Sequence, residues 1–169
     1  GEETAKIAVW QKAGAENPAP GEEIVDSLST ADDLNIQFAH DAVEPVKKTL
    51  TFTREKTATA ETKVKLVFDE RHVDEYNFDR ATEYVVFPEQ RCTIANDGVI
   101  TIPAGETSSQ IEVTLSPSAS DLEYVTTYMV PLQAVAQTEG IVVKDEAEYV
   151  DFLVSRIGSK KIRNICYFE

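Results

Sequence analysis

The stretch 64–115 reads VKLVFDERHVDEYNFDRATEYVVFPEQRCTIANDGVITIPAGETSSQIEVTL, and its punctuation decides the fold class. Val64, Leu66 and Phe68 recur at every second position, the pattern of a strand with one face toward a core. The alternation fails over Asp69–Asp79. There Val73, Tyr76 and Phe78 are read as the inner side of one or two helical turns, so a single short helix is expected near residues 69–78. Glu83–Phe87 reads as a strand, and Pro88, which has no N–H to give a ladder, ends it. Cys92–Ala95 and Val99–Ile102 flank Asn96-Asp97-Gly98, residues that tolerate positive φ, and together they predict a hairpin. Pro103-Ala104-Gly105 predicts a turn with Pro at its second position and Gly at its fourth. Ile111, Val113 and Leu115 then share one face of a last strand, with Gln110, Glu112 and Thr114 on the other.

Outward from this centre the same period continues. Toward the N-terminus, strands are expected at Thr4–Trp10, Leu34–Phe38 and Lys47–Thr53, with a short strand or turn over Glu22–Leu28. Thr57–Phe68 is the longest alternating run. Toward the C-terminus, Thr127–Val135 and Glu148–Ser155 alternate, Ile141–Val143 is a short candidate, and Pro131 marks an edge strand or a bulge. Short strands separated by turn residues at regular spacing predict an all-β antiparallel sandwich of about eight strands over residues 1–156. Residues 157–169 are left as a tail or the start of a linker.

Composition narrows the function. Apolar residues make up 42% and charged residues 27%, a globular balance, and 30 Asp and Glu against 16 Lys and Arg give a net charge of −14. Such a field repels phosphate backbones, which sets nucleic-acid partners aside. No apolar run approaches the roughly 20 residues of a membrane helix. Cys92 and Cys166 lack C-x-x-C spacing; a bridge between them is left open as an alternative to two thiols. The chain opens on Gly1-Glu2-Glu3-Thr4 without an apolar signal core, and Gly1 reads as a remnant of trimming, so an exported mature protein is expected.

Catalytic signatures are missing from the pattern. There is no G-x-S-x-G elbow, phosphate loop, dinucleotide fingerprint or H-E-x-x-H helix, so no enzyme, no cofactor and no metal is expected. His72 with Glu75, and the carboxylates of the 69–79 segment, fall short of the ligand sets of zinc and calcium sites. Exposed aromatics grip sugars by stacking, which makes Trp10, Tyr84 and Tyr124 the candidate ligand-binding residues. Tyr76 and Asn77 read instead as structural, like Pro88, Pro103, Gly105 and Pro131.

The run Val64-x-Leu66-x-Phe68, Val73-Asp74-Glu75-Tyr76-Asn77, Tyr84-Val85-Val86-Phe87-Pro88, Ile100-Thr101-Ile102-Pro103-Ala104-Gly105-Glu106-Thr107-Ser108 and Tyr128-x-x-Pro131-Leu132 resembles domain-of-unknown-function family 1735. The resemblance implies an immunoglobulin-like N-terminal domain of exported Bacteroidetes lipoproteins, often beside family-18 glycosidase or lectin-like modules. It implies a non-catalytic glycan-binding or spacer module at the outer membrane or in the periplasm. The partner would be a glycan or another surface protein, with membrane contact only through a lipid anchor. Ile100–Ser108 also resembles the Calx-β repeat, but Ser116-Pro117-Ser118 stands where that repeat's acidic pair belongs. Asp26-Ser27-Leu28 resembles a Bacteroidetes O-glycosylation acceptor centred on Ser27.

Overall fold

The computed structural model describes residues 23–25, 27–29, 33–54, 60–117 and 122–158. The expected strand Thr4–Trp10 and the segment 159–169 lie outside them. In chain order the strands are β1 (Glu23–Val25), β2 (Ser27–Ser29), β3 (Asn35–Phe38), β4 (Val46–Thr53) and β5 (Thr62–Phe68). After the helix α1 (Arg71–Arg80) come β6 (Val85–Val86), β7 (Cys92–Ile94), β8 (Val99–Ile102) and β9 (Ser108–Leu115). Then β10 (Thr127–Ala136), β11 (Ile141–Val143) and β12 (Tyr149–Arg156) complete the chain's described part. One sheet has the order β3-β12-β10-β5-β8 with β6 also on β10; the other is β2-β4-β9-β7; β1 and β11 form a parallel pair. Most pairings are antiparallel, as expected, but β3 on β12 and β6 on β10 are parallel.

The sandwich follows from the alternation. Leu50, Phe52, Ile111, Val113 and Leu115 of the smaller sheet and Val64, Leu66, Val130, Leu132, Phe152 and Val154 of the larger form one buried cluster. Each strand turns every second side chain inward, so two half-apolar sheets bury each other's faces. Val73 and Met129 are buried yet lie outside that cluster. Helix α1 packs against β10 and is stopped by Ala81, whose left-handed backbone (φ 54°) returns its N–H to the Asn77 carbonyl. Phe78, expected to face inward, is 89% exposed. At about 100° per residue it lies about 140° around the helix from Val73.

Three expectations are corrected by the pairing. Asn96, Asp97 and Gly98 do take positive φ (55°, 53° and 83°), but β7 joins β9 while β8 joins β5, so the segment is a corner between sheets and not a hairpin. Three left-handed residues in a row carry the chain across the sandwich. At the last of them a Cβ would lie 2.5 Å from the Leu66 carbonyl oxygen, so only glycine fits. The next turn runs from Pro103 to Glu106, closed by Glu106 N–H to Pro103 O at 3.1 Å, with Gly105 third at φ 82°. That is one position later than the sequence suggested, because a type II turn needs its positive φ at the third residue. Pro131 belongs to neither an edge nor a bulge; β10 is paired on both sides. Its carbonyl accepts from Asp69 N–H, so its ring nitrogen faces the same side, between the end of β6 and the start of β5. No donor is needed in that gap.

The 103–106 turn is held from inside by Arg54, which is 2% exposed. Its Nε donates to Glu106 O (3.0 Å), Nη2 to Pro103 O (3.0 Å), and Nη1 to Thr62 Oγ1 and Ala60 O (3.5 Å). The guanidinium thereby ties the end of β4 to the start of β5 and to the crossing from β8 to β9.

Two outcomes test these joints in urea denaturation. Gly98→Ala should cost more than about 2 kcal/mol, whereas Gly105→Ala, with the same φ but open space around it, should cost about 1 kcal/mol. Arg54→Met should cost about 2–3 kcal/mol by removing the donor that joins the buried Thr62 hydroxyl to the carbonyls of Ala60, Pro103 and Glu106.

Candidate functional site

The candidate site lies where α1 hands the chain to β6. Asn77 arranges the return: its Oδ1 accepts from Tyr84 N–H (3.0 Å) and Thr82 Oγ1 (2.8 Å), and its Nδ2 donates to Tyr84 O (2.8 Å). An amide offers a donor and an acceptor together, so it satisfies both main-chain groups of one residue. For this reason Glu83 and Tyr84 stay outside the ladder, and the strand expected over Glu83–Phe87 shrinks to Val85–Val86. Phe87 N–H then donates to Met129 O, and Pro88 starts a turn closed by Arg91 N–H.

The helix itself is fastened to the outer face of the larger sheet. His72 stacks on Tyr149 with ring centroids 3.6 Å apart and 5° between planes, and its Nε2 lies 3.0 Å from Asp151 Oδ2. Tyr149 Oη donates to Asp69 Oδ2 at 3.1 Å. Burial raises the Asp151 carboxyl above the usual carboxylate range, opposed by its hydrogen bond to His72. Desolvation, then the hydrogen bond to Asp69, pushes the Tyr149 phenol up to about 12. From His72 a row of rings continues outward: Tyr76 edge-on at 5.9 Å, then Tyr84 at 5.9 Å, with Arg80 4.0 Å above the Tyr76 ring. Tyr76 and Asn77 both contact Tyr84 and fix its position.

Parallel pairing of β6 with β10, Val85 opposite Tyr128, sets Tyr84 beside the start of β10. Glu83, Tyr84 and Val85 on one side and Val125, Thr126 and Thr127 on the other line a groove of about 450 Å³. Val125 is fully exposed at φ 65°. A β-branched residue in the left-handed region is a true outlier and costs about 1–3 kcal/mol. Tyr124, 42% exposed, precedes it. The turn is anchored by Glu123 N–H donating to Tyr128 Oη at 2.8 Å.

Of the aromatics proposed from sequence, Tyr84 lines the groove, Tyr124 stands next to it, and Trp10 lies outside the described residues. Ser27 sits on β2 opposite Thr53. Cys92 carries a free thiol raised to about 12, chiefly by burial; Cys166 lies outside the described residues. Among the described residues no cluster of three His, Cys, Asp or Glu side chains could hold a metal ion. The His72–Asp151 pair, Arg54, Arg156 and the strained Val125 escaped the sequence reading. Isolated charges in an alternating strand read as solvent-facing, and left-handed Val has no sequence signal.

The Tyr149 phenol is held neutral by the fold, so its contribution is whole below about pH 10, the unfolded value, and is lost as pH rises through 12. Thermal unfolding across pH 9–12 should therefore show a steeper alkaline loss of stability for the parent chain than for Tyr149→Phe.

Comparison with known proteins places these features. A family model described as an N-terminal domain matches residues 23–141. No curated protein matches the chain. EndoBT-3987 of Bacteroides thetaiotamicron, solved with a Man5GlcNAc product, is similar at 25% identity and a TM-score of 0.63, over 73% of this chain and 28% of that one. A "putative carbohydrate binding protein" from Bacteroides ovatus is similar in fold at 17% identity and TM-score 0.64, over 78% and 37%. A multidomain Bacteroides ovatus protein including DUF1735 gives 12% and 0.50, over 76% and 41%. The chain thus spans well under half the length of each of these solved chains. By the match over residues 23–141, and with fold neighbours of this kind, the chain belongs to the DUF1735-like family of N-terminal β domains.

Proposed function

We propose that this chain is a non-catalytic, exported domain that binds glycan at the cell surface, in a system that captures and processes polysaccharides or glycans. The observation that carries the reading is the groove between Glu83–Val85 and Val125–Thr127. Its volume falls in the range of small-ligand clefts, about 300–1,000 Å³. Tyr84 supplies a ring against which an apolar sugar face can stack, and Tyr76 behind it keeps that ring in place. Thr126, Thr127 and Glu83 supply hydroxyl and carboxylate partners for sugar hydroxyls. The likeness to a domain-sized part of EndoBT-3987, a protein solved with a glycan product, supports the class of ligand. Membrane attachment through a lipid anchor belongs to the same proposal and rests on the resemblance to exported lipoproteins.

A second reading is a protein-docking module. Phe78, 89% exposed on α1, is the side chain that a docked partner would cover.

A glycan array probed with the purified chain separates the two. Reproducible hits are expected, weakened about ten-fold or more (about 1.4 kcal/mol) in Tyr84→Ala, whose main-chain bonds to Asn77 survive the substitution. An array without hits sinks the glycan reading, and complex formation that depends on Phe78 would then support docking.

A further inference from the structure

Arg156 ends β12 with its guanidinium folded inside the protein, only 4% exposed. Nη2 donates to the His40 carbonyl at 2.5 Å, while Nη1 is buried and finds no partner among the described residues. The other buried arginine among the described residues behaves differently: the Nε, Nη1 and Nη2 of Arg54 all donate. A buried donor without an acceptor is costly, and a charged one more so. Arg156 is thus half-used, where Arg54 is used fully.

What lies next to it points outward. The Arg156 Cζ stands 6.0 Å from the centroid of the Tyr124 ring, looser than the 4.0 Å of Arg80 over Tyr76. Tyr124 is partly exposed, so it is not locked onto the arginine by surrounding core. The residue after it, Val125, holds a strained left-handed backbone while fully in solvent, and burial gives it no return for that strain. Backbone strain that packing does not explain concentrates where segments must rearrange or receive a ligand. The register Thr127 opposite Ser155 keeps this turn beside the end of β12 and contiguous with the Tyr84 groove.

We propose that Nη1 of Arg156 receives the carboxylate of an acidic sugar whose ring stacks on Tyr124, the 124–126 turn swinging to admit it. The proposal rests on the glycan reading and names its ligand class: a uronic-acid unit within a mostly neutral chain. A guanidinium matches a planar carboxylate with charge-assisted hydrogen bonds. The exposed Glu123 and Glu83, on a chain of net charge −14, disfavour densely anionic polymers and leave a single carboxylate as the anion that fits.

Calorimetric titration of the purified chain with a neutral xylo-oligosaccharide bearing one glucuronic acid branch, and with the methyl ester of that branch, tests this, because the ester keeps the sugar and removes the charge. The acid form is expected to bind at least ten-fold more tightly; the gap should close in Arg156→Gln, whereas Tyr124→Ala, which removes the ring that both forms stack on, should weaken both. Since Arg156→Gln can disturb folding, the exposed Tyr124→Ala variant, checked by thermal melting, is decisive. Equal affinity for both forms, or acid-form binding undiminished in Tyr124→Ala, overturns the acidic-sugar pocket and leaves the glycan reading standing. Binding of neither form also overturns the pocket, and the array described above then decides whether the glycan reading falls with it.

Discussion

One side of β10 must be hydrogen-bonded by two different strands, and much of the molecule is arranged around that demand. Toward its C-terminal half the partner is β5, antiparallel; toward its N-terminal half it is β6, parallel. A chain leaving β5 cannot turn tightly into β6, because it has to re-enter beside β10 running the other way. Helix α1 makes that crossing over the outer face of the sheet. Between the two partners lies a position where neither strand can accept a hydrogen bond, and Pro131, with no N–H to give, occupies it. The groove that carries the functional reading is a product of this seam: Tyr84 and Val85 reach the start of β10 because β6 does.

The latch on α1 has the same origin. Asp151 stands opposite Pro131 on β12, and His72 reaches it from the helix. A half-buried carboxylate with one oxygen bound to imidazole and the other, Oδ1, without a partner is not a device for stability alone. It fixes where the helix sits along the sheet, and through Tyr76 and Asn77 that position is handed to Tyr84.

The sequence revealed local features far better than pairings. Alternation found the cores of β4, β5, β9, β10 and β12, because burial of one face writes a period of two. Turn residues located the bend at 96–98 and the turn near 103–106, since positive φ is a local requirement. What they join is decided by strands far apart in the chain, so a corner between sheets was read as a hairpin and a central strand as an edge. Tyr84 and Tyr124 were visible as candidate aromatics; their adjacency to one groove was not, because it depends on β6 lying parallel to β10. Arg54 and Arg156 were invisible for a simpler reason. A charged residue in an alternating strand is normally the solvent face, and only the finished fold shows these two turned inward.

The position of β10 late in the chain has a consequence for synthesis. Its partners β5 and β6 leave the ribosome well before it, and β12 follows. Until residues 127–136 emerge, the larger sheet lacks its central strand, and β5 and β8 alone stand opposite the inner faces of β4 and β9. Sandwiches dominated by such distant pairings fold slowly and expose strand edges meanwhile. The excess of acidic side chains spread along the sequence then acts on the unfinished polypeptide, keeping nascent copies apart by mutual repulsion until the last strands close the core.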